Sequence, residues 1–163
     1  MGRPVAPVQE GMSSVPITIL LGEGKPEGLQ HVRAFLGREG FDVVGAASDS
    51  DELVDLAVSL RPAVVILDDV MPRESALTAA REILSLCRET QVILLTPHGA
   101  GAQILTAFRA GIRGYVLEAD TTPDLARAIR EVSRGRLFLS PGAGRRLTAE
   151  YLPQAAAPAP VLP

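Results

Sequence analysis

The chain of 163 residues has a single cysteine, Cys87, so it can form no internal disulfide and holds no C-x-x-C pair. A reducing cytoplasm is the compartment that fits. Lysine is almost absent: of 16 basic residues only Lys25 is a lysine, an arginine bias of the kind GC-rich coding produces. A mechanism that needs a lysine therefore has one candidate. Positive charge is not in excess either. The 19 acidic residues leave a net charge of −3, which argues against nucleic-acid binding as the main business of this polypeptide. No apolar run approaches the roughly 18 residues of a membrane span. Arg3 is followed by no hydrophobic stretch such as a signal peptide requires. Secreted, membrane and zinc-finger classes are excluded as expectations.

What is present is an ordinary globular balance, 47% hydrophobic and 21% charged, in a length that suits one domain. Both ends read differently. Residues 1–16 hold Pro4, Pro7, Gly11, Ser13, Ser14 and Pro16 without periodicity, a flexible segment, and 153–163 form a Pro/Ala-rich linker or tail. Between them, short apolar runs alternate with amphipathic stretches. The runs are Ile17–Leu21, Phe41–Val44, Ala63–Leu67, Gln91–Leu95 and Gly114–Leu117, most of them apolar on both faces, as parallel strands under helices are. Helical spacing places Leu29, Val32 and Leu36 on one face, then Leu53, Leu56, Ala57 and Leu60, then Leu77, Ala80, Leu84 and Cys87. Leu105 and Phe108 mark a short fourth helix, and Leu125, Ala128, Ile129 and Val132 a fifth. Asp49-x-x-Glu52 reads as a capping box, and Thr122-Pro123 as an N-cap with proline at the first helical position. Five strands alternating with five helices predict a doubly wound α/β fold with a parallel sheet.

In open parallel sheets, sites form beyond the carboxyl ends of the strands. Those ends carry Gly22-Glu23-Gly24-Lys25, Asp68-Asp69, Thr96 and Glu118. Acids and a hydroxyl converging on one edge suit a hard cation or a phosphoryl group. Polar residues meeting water at strand ends give the same pattern. Competing phosphate motifs fail: Ile19 and Pro26 break a Walker A loop around Gly24-Lys25, and Glu27 interrupts G-x-G-x-x-G. Neither His31 nor His98 has a nucleophile and acid to work with.

The stretch AVVILDDVMP (63–72) resembles the phosphoacceptor strand of bacterial response-regulator receiver domains. QVILLT (91–96) is similar to the family's fourth strand with its switch threonine, and AFRAGIRGYVLE (107–118) to its fifth. With SRGRLFLSP (133–141), the wording resembles the NarL/FixJ branch, whose members carry a LuxR-type helix-turn-helix. The resemblance implies a flavodoxin-like receiver over 17–135, strand order 2-1-3-4-5, and an extension over 136–152 leading toward a linker helix. It implies Asp68 as phosphoacceptor, Glu23 and Asp69 as the acidic pocket, and Thr96 and Tyr115 as switch positions. It also implies that DNA binding belongs to a helix-turn-helix outside this chain, which is then either cut at the linker or a free-standing receiver.

Two positions depart from the family pattern. Receivers carry two consecutive acids after the first strand to hold Mg²⁺, and here they are Glu23 and Gly24. Receivers end the fifth strand with a lysine, and here it is Glu118. Mg²⁺ demands near-ideal octahedral ligation, and Glu23 with Asp68 is a thin set. Lys25 sits at a helix entrance rather than on the fifth strand. The expectation is a degenerate pocket: a regulatory module and not an enzyme, needing no cofactor, with Mg²⁺ entering only if a kinase phosphorylates Asp68 in the conventional way. Regulation then runs through a homodimer, a protein partner or a small molecule. The expected interface is the fourth helix, fifth strand and fifth helix, with Arg109, Arg113, Arg127 and Arg130; pairing of the first and fifth helices is the alternative.

Overall fold

The computed structural model describes residues 15–71, 73–97, 99–118 and 121–152. Most of segment 1–16, the stretch 153–163, Pro72 and His98 lie outside the described residues, as do the side chains of Pro26, Leu29, Thr121 and Thr122. In chain order the elements are β1 (Thr18–Gly22), α1 (Pro26–Arg38), β2 (Asp42–Ala47), α2 (Ser50–Leu60), β3 (Val64–Asp68) and α3 (Ala76–Leu86). They continue with β4 (Gln91–Thr96), α4 (Gly101–Arg109), β5 (Gly114–Leu117), α5 (Thr121–Ser133), β6 (Phe138–Leu139) and α6 (Pro141–Tyr151).

All strands run parallel in the order β2-β1-β3-β4-β5-β6. The expected order 2-1-3-4-5 is found, extended by one strand. β6 is two residues long, too short to leave a periodic signature, and it is held by pairing Gly114 with Phe138 and Tyr115 with Leu139. A sixth helix follows it, so the expected five strands and five helices become six of each among the described residues.

The strands alternate their side chains between two cores. Ile19, Leu21, Val64, Ile66, Ile93 and Val116 pack on one face with Leu36 of α1 and Leu125, Ile129 and Val132 of α5. Leu20, Val65, Leu67, Val92 and Leu94 face the other core, with Leu53, Ala57, Ala80, Ile83 and Ile104 from α2, α3 and α4 and Ala143 from α6. Every residue of β3 is buried, which explains its unbroken apolar run and puts Asp68 at the end of a rigid rail.

Local expectations meet four corrections. At α2 the Asp49 carboxylate accepts from the Glu52 N–H at 2.8 Å, but the Glu52 carboxylate turns to the Ser48 N–H at 3.2 Å, so the box is only half closed. α4 buries Ile104 and Ala107 rather than Leu105 and Phe108, which stay half-buried. α5 begins at Thr121, so Thr122 lies inside its first turn and is not the cap. Leu60 is partly exposed, lying across Gly45 at the rim of the core.

Candidate phosphoacceptor pocket

Crossing from β1 to α1 the chain reads Gly22-Glu23-Gly24-Lys25-Pro26, with Lys25 in extended backbone conformation and Pro26 opening the helix. This places Glu23 and Lys25 beside the end of β3. A cavity of about 380 Å³ opens there, lined by Glu23, Lys25, Glu27, Gly28, Asp68 and Glu118 among others. The Glu23 carboxylate folds over Gly28, where a Cβ would force it to swing aside. Asp68 is only 6% exposed, and its Oδ1 accepts the Val70 N–H at 3.1 Å.

Burial, the first cause, pushes the Asp68 carboxyl above its ordinary value; the Asp69 charge adds to the rise, while the Val70 N–H and Lys25 oppose it. Glu23 is raised likewise, by burial and then by Asp68 and Glu118, with Lys25 again pulling down. The lysine at the helix entrance thus reaches the pocket electrostatically, a contribution the sequence left open.

The structure divides the predicted site residues between two cavities. Asp69 does not join Glu23. It leaves the end of β3 toward α4 and lines a second cavity of about 260 Å³ with Leu77, Leu94, Gln103, Thr106 and Tyr115. Thr96, fully buried, donates from Oγ1 to Asp69 Oδ2 at 3.2 Å. Tyr115 is turned inward and 1% exposed. Its hydroxyl is pushed up to about 12 by burial and the Asp69 charge, against Arg146 and a hydrogen bond with Thr96. Tyr115, Thr96 and Asp69 therefore form one polar chain, one residue removed from Asp68.

The loop after β3 is tied down as well. Arg73 has φ of 79°, in the left-handed region, and its guanidinium lies 3.8 Å from Asp49 and 3.5 Å from Asp51. The Glu74 N–H donates to Ser50 Oγ at 3.0 Å.

Mg²⁺, which the family resemblance implies, finds a poor donor set. Gly24 offers no side chain, Asp69 points elsewhere, and an ammonium lines the same cavity. Among the described residues no three His, Cys, Asp or Glu side chains converge as metal ligands do.

Of the expected interface arginines, Arg130 is engaged within the chain. It lies 3.2 Å from Glu39 and 5.3 Å from the Phe41 ring centroid. Arg127 lies 3.9 Å from Asp124 on its own helix, and Arg109 and Arg113 are exposed. α6 packs along α4 and β5, covering part of the expected surface. No helix among the described residues is long and apolar enough to cross a membrane.

Raised carboxyls make a pH-dependent prediction. A folded-state pKa above the unfolded one means that ionisation opposes folding, so the associated stability is present at low pH and lost as pH rises from the ordinary value through the raised one. Asp68→Asn removes that opposition. Its melting temperature should exceed that of the unaltered chain at neutral pH, and the gap should close as pH falls toward 3.8, the ordinary Asp value. Equal melting temperatures at neutral pH would show that Asp68 is not held against its preferred charge.

The receiver-domain family, described as "Response regulator receiver domain", matches residues 19–130. Among curated relatives, the uncharacterized transcriptional regulatory protein YxjL of Bacillus subtilis is 28% identical over 142 residues, 85% of this chain and 64% of that protein. The transcriptional regulatory protein PdtaR of Mycobacterium tuberculosis is 33% identical over 131 residues, 80% of this chain and 63% of that protein. The chain thus spans less than two thirds of the length of either. Among solved structures, a LuxR-family two-component response regulator from Aurantimonas sp. is similar with a TM-score of 0.79 and 28% identity, covering 83% of this chain and 98% of that one. The isolated receiver domain of RcsB from Salmonella enterica, solved with the phosphomimetic BeF₃⁻, gives 0.75 at 25% identity, covering 82% and 99%.

Proposed function

The chain belongs to the response-regulator receiver family, and from that membership we propose that it is a signalling module of a bacterial transcription regulator whose output does not run through aspartyl phosphate. The observation that carries this reading is the company Asp68 keeps. Glu23 and Glu118 line its cavity, Gly24 contributes nothing, and Lys25 is the sole cation among the lining residues. Phosphoryl transfer relies on positioning and on cationic stabilisation of the charge spread over the phosphoryl oxygens. A carboxylate in place of a lysine turns an attraction of roughly 4 kcal/mol, at about 4 Å and an effective dielectric near 20, into repulsion. Burial raises both Asp68 and Glu23 already, before any phosphate arrives, and the Asp68 and Glu118 charges add to the rise at Glu23. The proposal includes a pocket that works without Mg²⁺ and a domain that turns over no substrate.

Regulation then needs another influence that distinguishes two states. A second copy of this chain is the proposed partner, and one solved relative is described as RcsB dimers bound to DNA. With α6 packed on α4 and β5, the α1–α5 face is the better candidate surface. It presents Arg127 beside Asp124 and Arg134 beside Glu131, a self-complementary mixture of charge. Transcriptional output is proposed from the relatives named as transcriptional regulators, carried by sequence beyond the part of those relatives that this chain spans.

Sedimentation velocity at tens of micromolar tests the reading. A homodimer is expected with no phosphodonor, unchanged by acetyl phosphate and Mg²⁺, and weakened by Arg127→Glu. A monomer that dimerises only with the phosphodonor, and not in Asp68→Ala, would replace this reading with the conventional one. The presence of Lys25 in the cavity is the observation that favours that second reading.

A further inference from the structure

α4 has no capping side chain at its N-cap, although Gln103 Oε1 takes the Ala100 N–H at 3.3 Å. Its N-cap residue is Ala100, which has no side-chain oxygen, so the first N–H groups of the helix need an acceptor from elsewhere. The acceptor comes from α6: Glu150 Oε2 takes the Gly101 N–H at 2.7 Å, across 49 residues of sequence. A carboxylate also suits the positive end of the helix dipole. The Tyr151 ring closes over the same spot, so a Cβ at Gly101 would lie 2.5 Å from Tyr151 Cε2 and 2.6 Å from Glu150 Oε2. A side chain there would push the Glu150 carboxylate and the Tyr151 ring aside, so the glycine favours the close fit of α6.

The opposite end of α6 is anchored to β5. The Ser140 N–H donates to the Tyr115 carbonyl at 2.9 Å, and Ser140 Oγ accepts the Leu117 N–H at 3.1 Å. Ser140 and Ala143 are fully buried, and Leu147 packs against the core. α6 is thus fixed at its start beside Tyr115 and clasped at its end on the first turn of α4. Between Thr96 and that turn lies a short loop in which Gly99 sits against the Tyr115 ring. Arg146 of α6 also acts on the Tyr115 hydroxyl, so the polar chain Tyr115–Thr96–Asp69 faces the same helix.

We propose that α6 is an intramolecular latch, in which Glu150 and Tyr151 hold the start of α4 and release it when the Thr96–Tyr115 pair rearranges. The latch couples the switch residues to the chain beyond Leu152, because a shift of α4 by about one helical turn's worth of hydrogen bonds removes the donor that Glu150 holds. Release uncovers the α4–β5 face. The device is independent of whether Asp68 accepts phosphate, since the coupled parts are Thr96, Tyr115, Gly101 and Glu150.

Amide hydrogen exchange followed by mass spectrometry tests it on the full chain. Glu150→Ala should speed exchange in residues 101–104 and 147–152 at least tenfold and leave β1 and β3 unchanged. Gly101→Ala should do the same in α6, although alanine is the better helix former, so a folding defect in α4 is not the cause. Glu150→Gln, which keeps an acceptor, should restore most of the protection. Coupling is read from the switch: Tyr115→Phe or Thr96→Ala should accelerate exchange in 147–152, beyond the Arg146 contact with Tyr115. Unchanged exchange at Gly101 in Glu150→Ala would remove the cap from the argument. A loosened α6 in Glu150→Ala combined with unaltered 147–152 in both switch variants would leave a static brace and overturn the latch.

Discussion

Incubated with acetyl phosphate and Mg²⁺, the chain should show no phosphoryl adduct by intact-mass spectrometry, whereas Gly24→Asp combined with Glu118→Lys should acquire one. Each substitution answers a specific deficit. Position 24 lies in the loop after β1, beside Glu23, and an aspartate there supplies the missing acid of the pair that resembles a receiver's Mg²⁺ site. Glu118 lines the Asp68 cavity from the end of β5, so a lysine at that position brings an ammonium to the phosphoryl oxygens in place of a carboxylate. A tenfold change in rate corresponds to roughly 1.4 kcal/mol. Recovering a third of a 4 kcal/mol attraction, itself roughly the value for a close pair at intermediate dielectric, is already worth about that much. The gain should vanish when Asp68→Ala is added to the double variant. An adduct on the unaltered chain that disappears in Asp68→Ala would show instead that Lys25, which faces Asp68 and Glu23, does the work of the absent strand lysine.

Much of this was legible in the residues because buried parallel strands announce themselves. β3 and β4 are apolar on both faces since both faces are covered, and their ends could be found to within a residue from the runs alone. Asp68, Thr96 and Glu118 followed from those ends. Side-chain direction did not. Asp68 and Asp69 are adjacent, yet alternation along a strand turns one toward α1 and the other toward α4, and only the three-dimensional arrangement shows them lining different cavities. The sequence places Arg130 at an interface between molecules; Glu39 and Phe41, about ninety residues earlier, engage it within the chain. The role of Glu150 has no local signal either. The one hint was the alanine at the head of α4 where a capping side chain is usual.

Val65→Ala should destabilise the fold by about 2–3 kcal/mol, the loss of two buried methyl groups together with the cavity they leave. Val65 sits at the middle of the central strand, fully buried, opposite Leu20 on β1 and Val92 on β4, which share its face of the sheet. No side chain of that layer can close over the gap without moving a strand paired on both edges, so relaxation is small and the cavity persists. At roughly 4 °C per kcal/mol for a domain of this size, the melting temperature should fall by about 10 °C. Excess chelator should leave the unaltered chain's melting temperature where it was, because both cores are built from apolar side chains and the carboxylates at the strand ends oppose folding rather than support it. A melting temperature that drops with chelator by as much as it does in Val65→Ala would place an ion, and not the β3 layer, at the centre of the stability of this receiver.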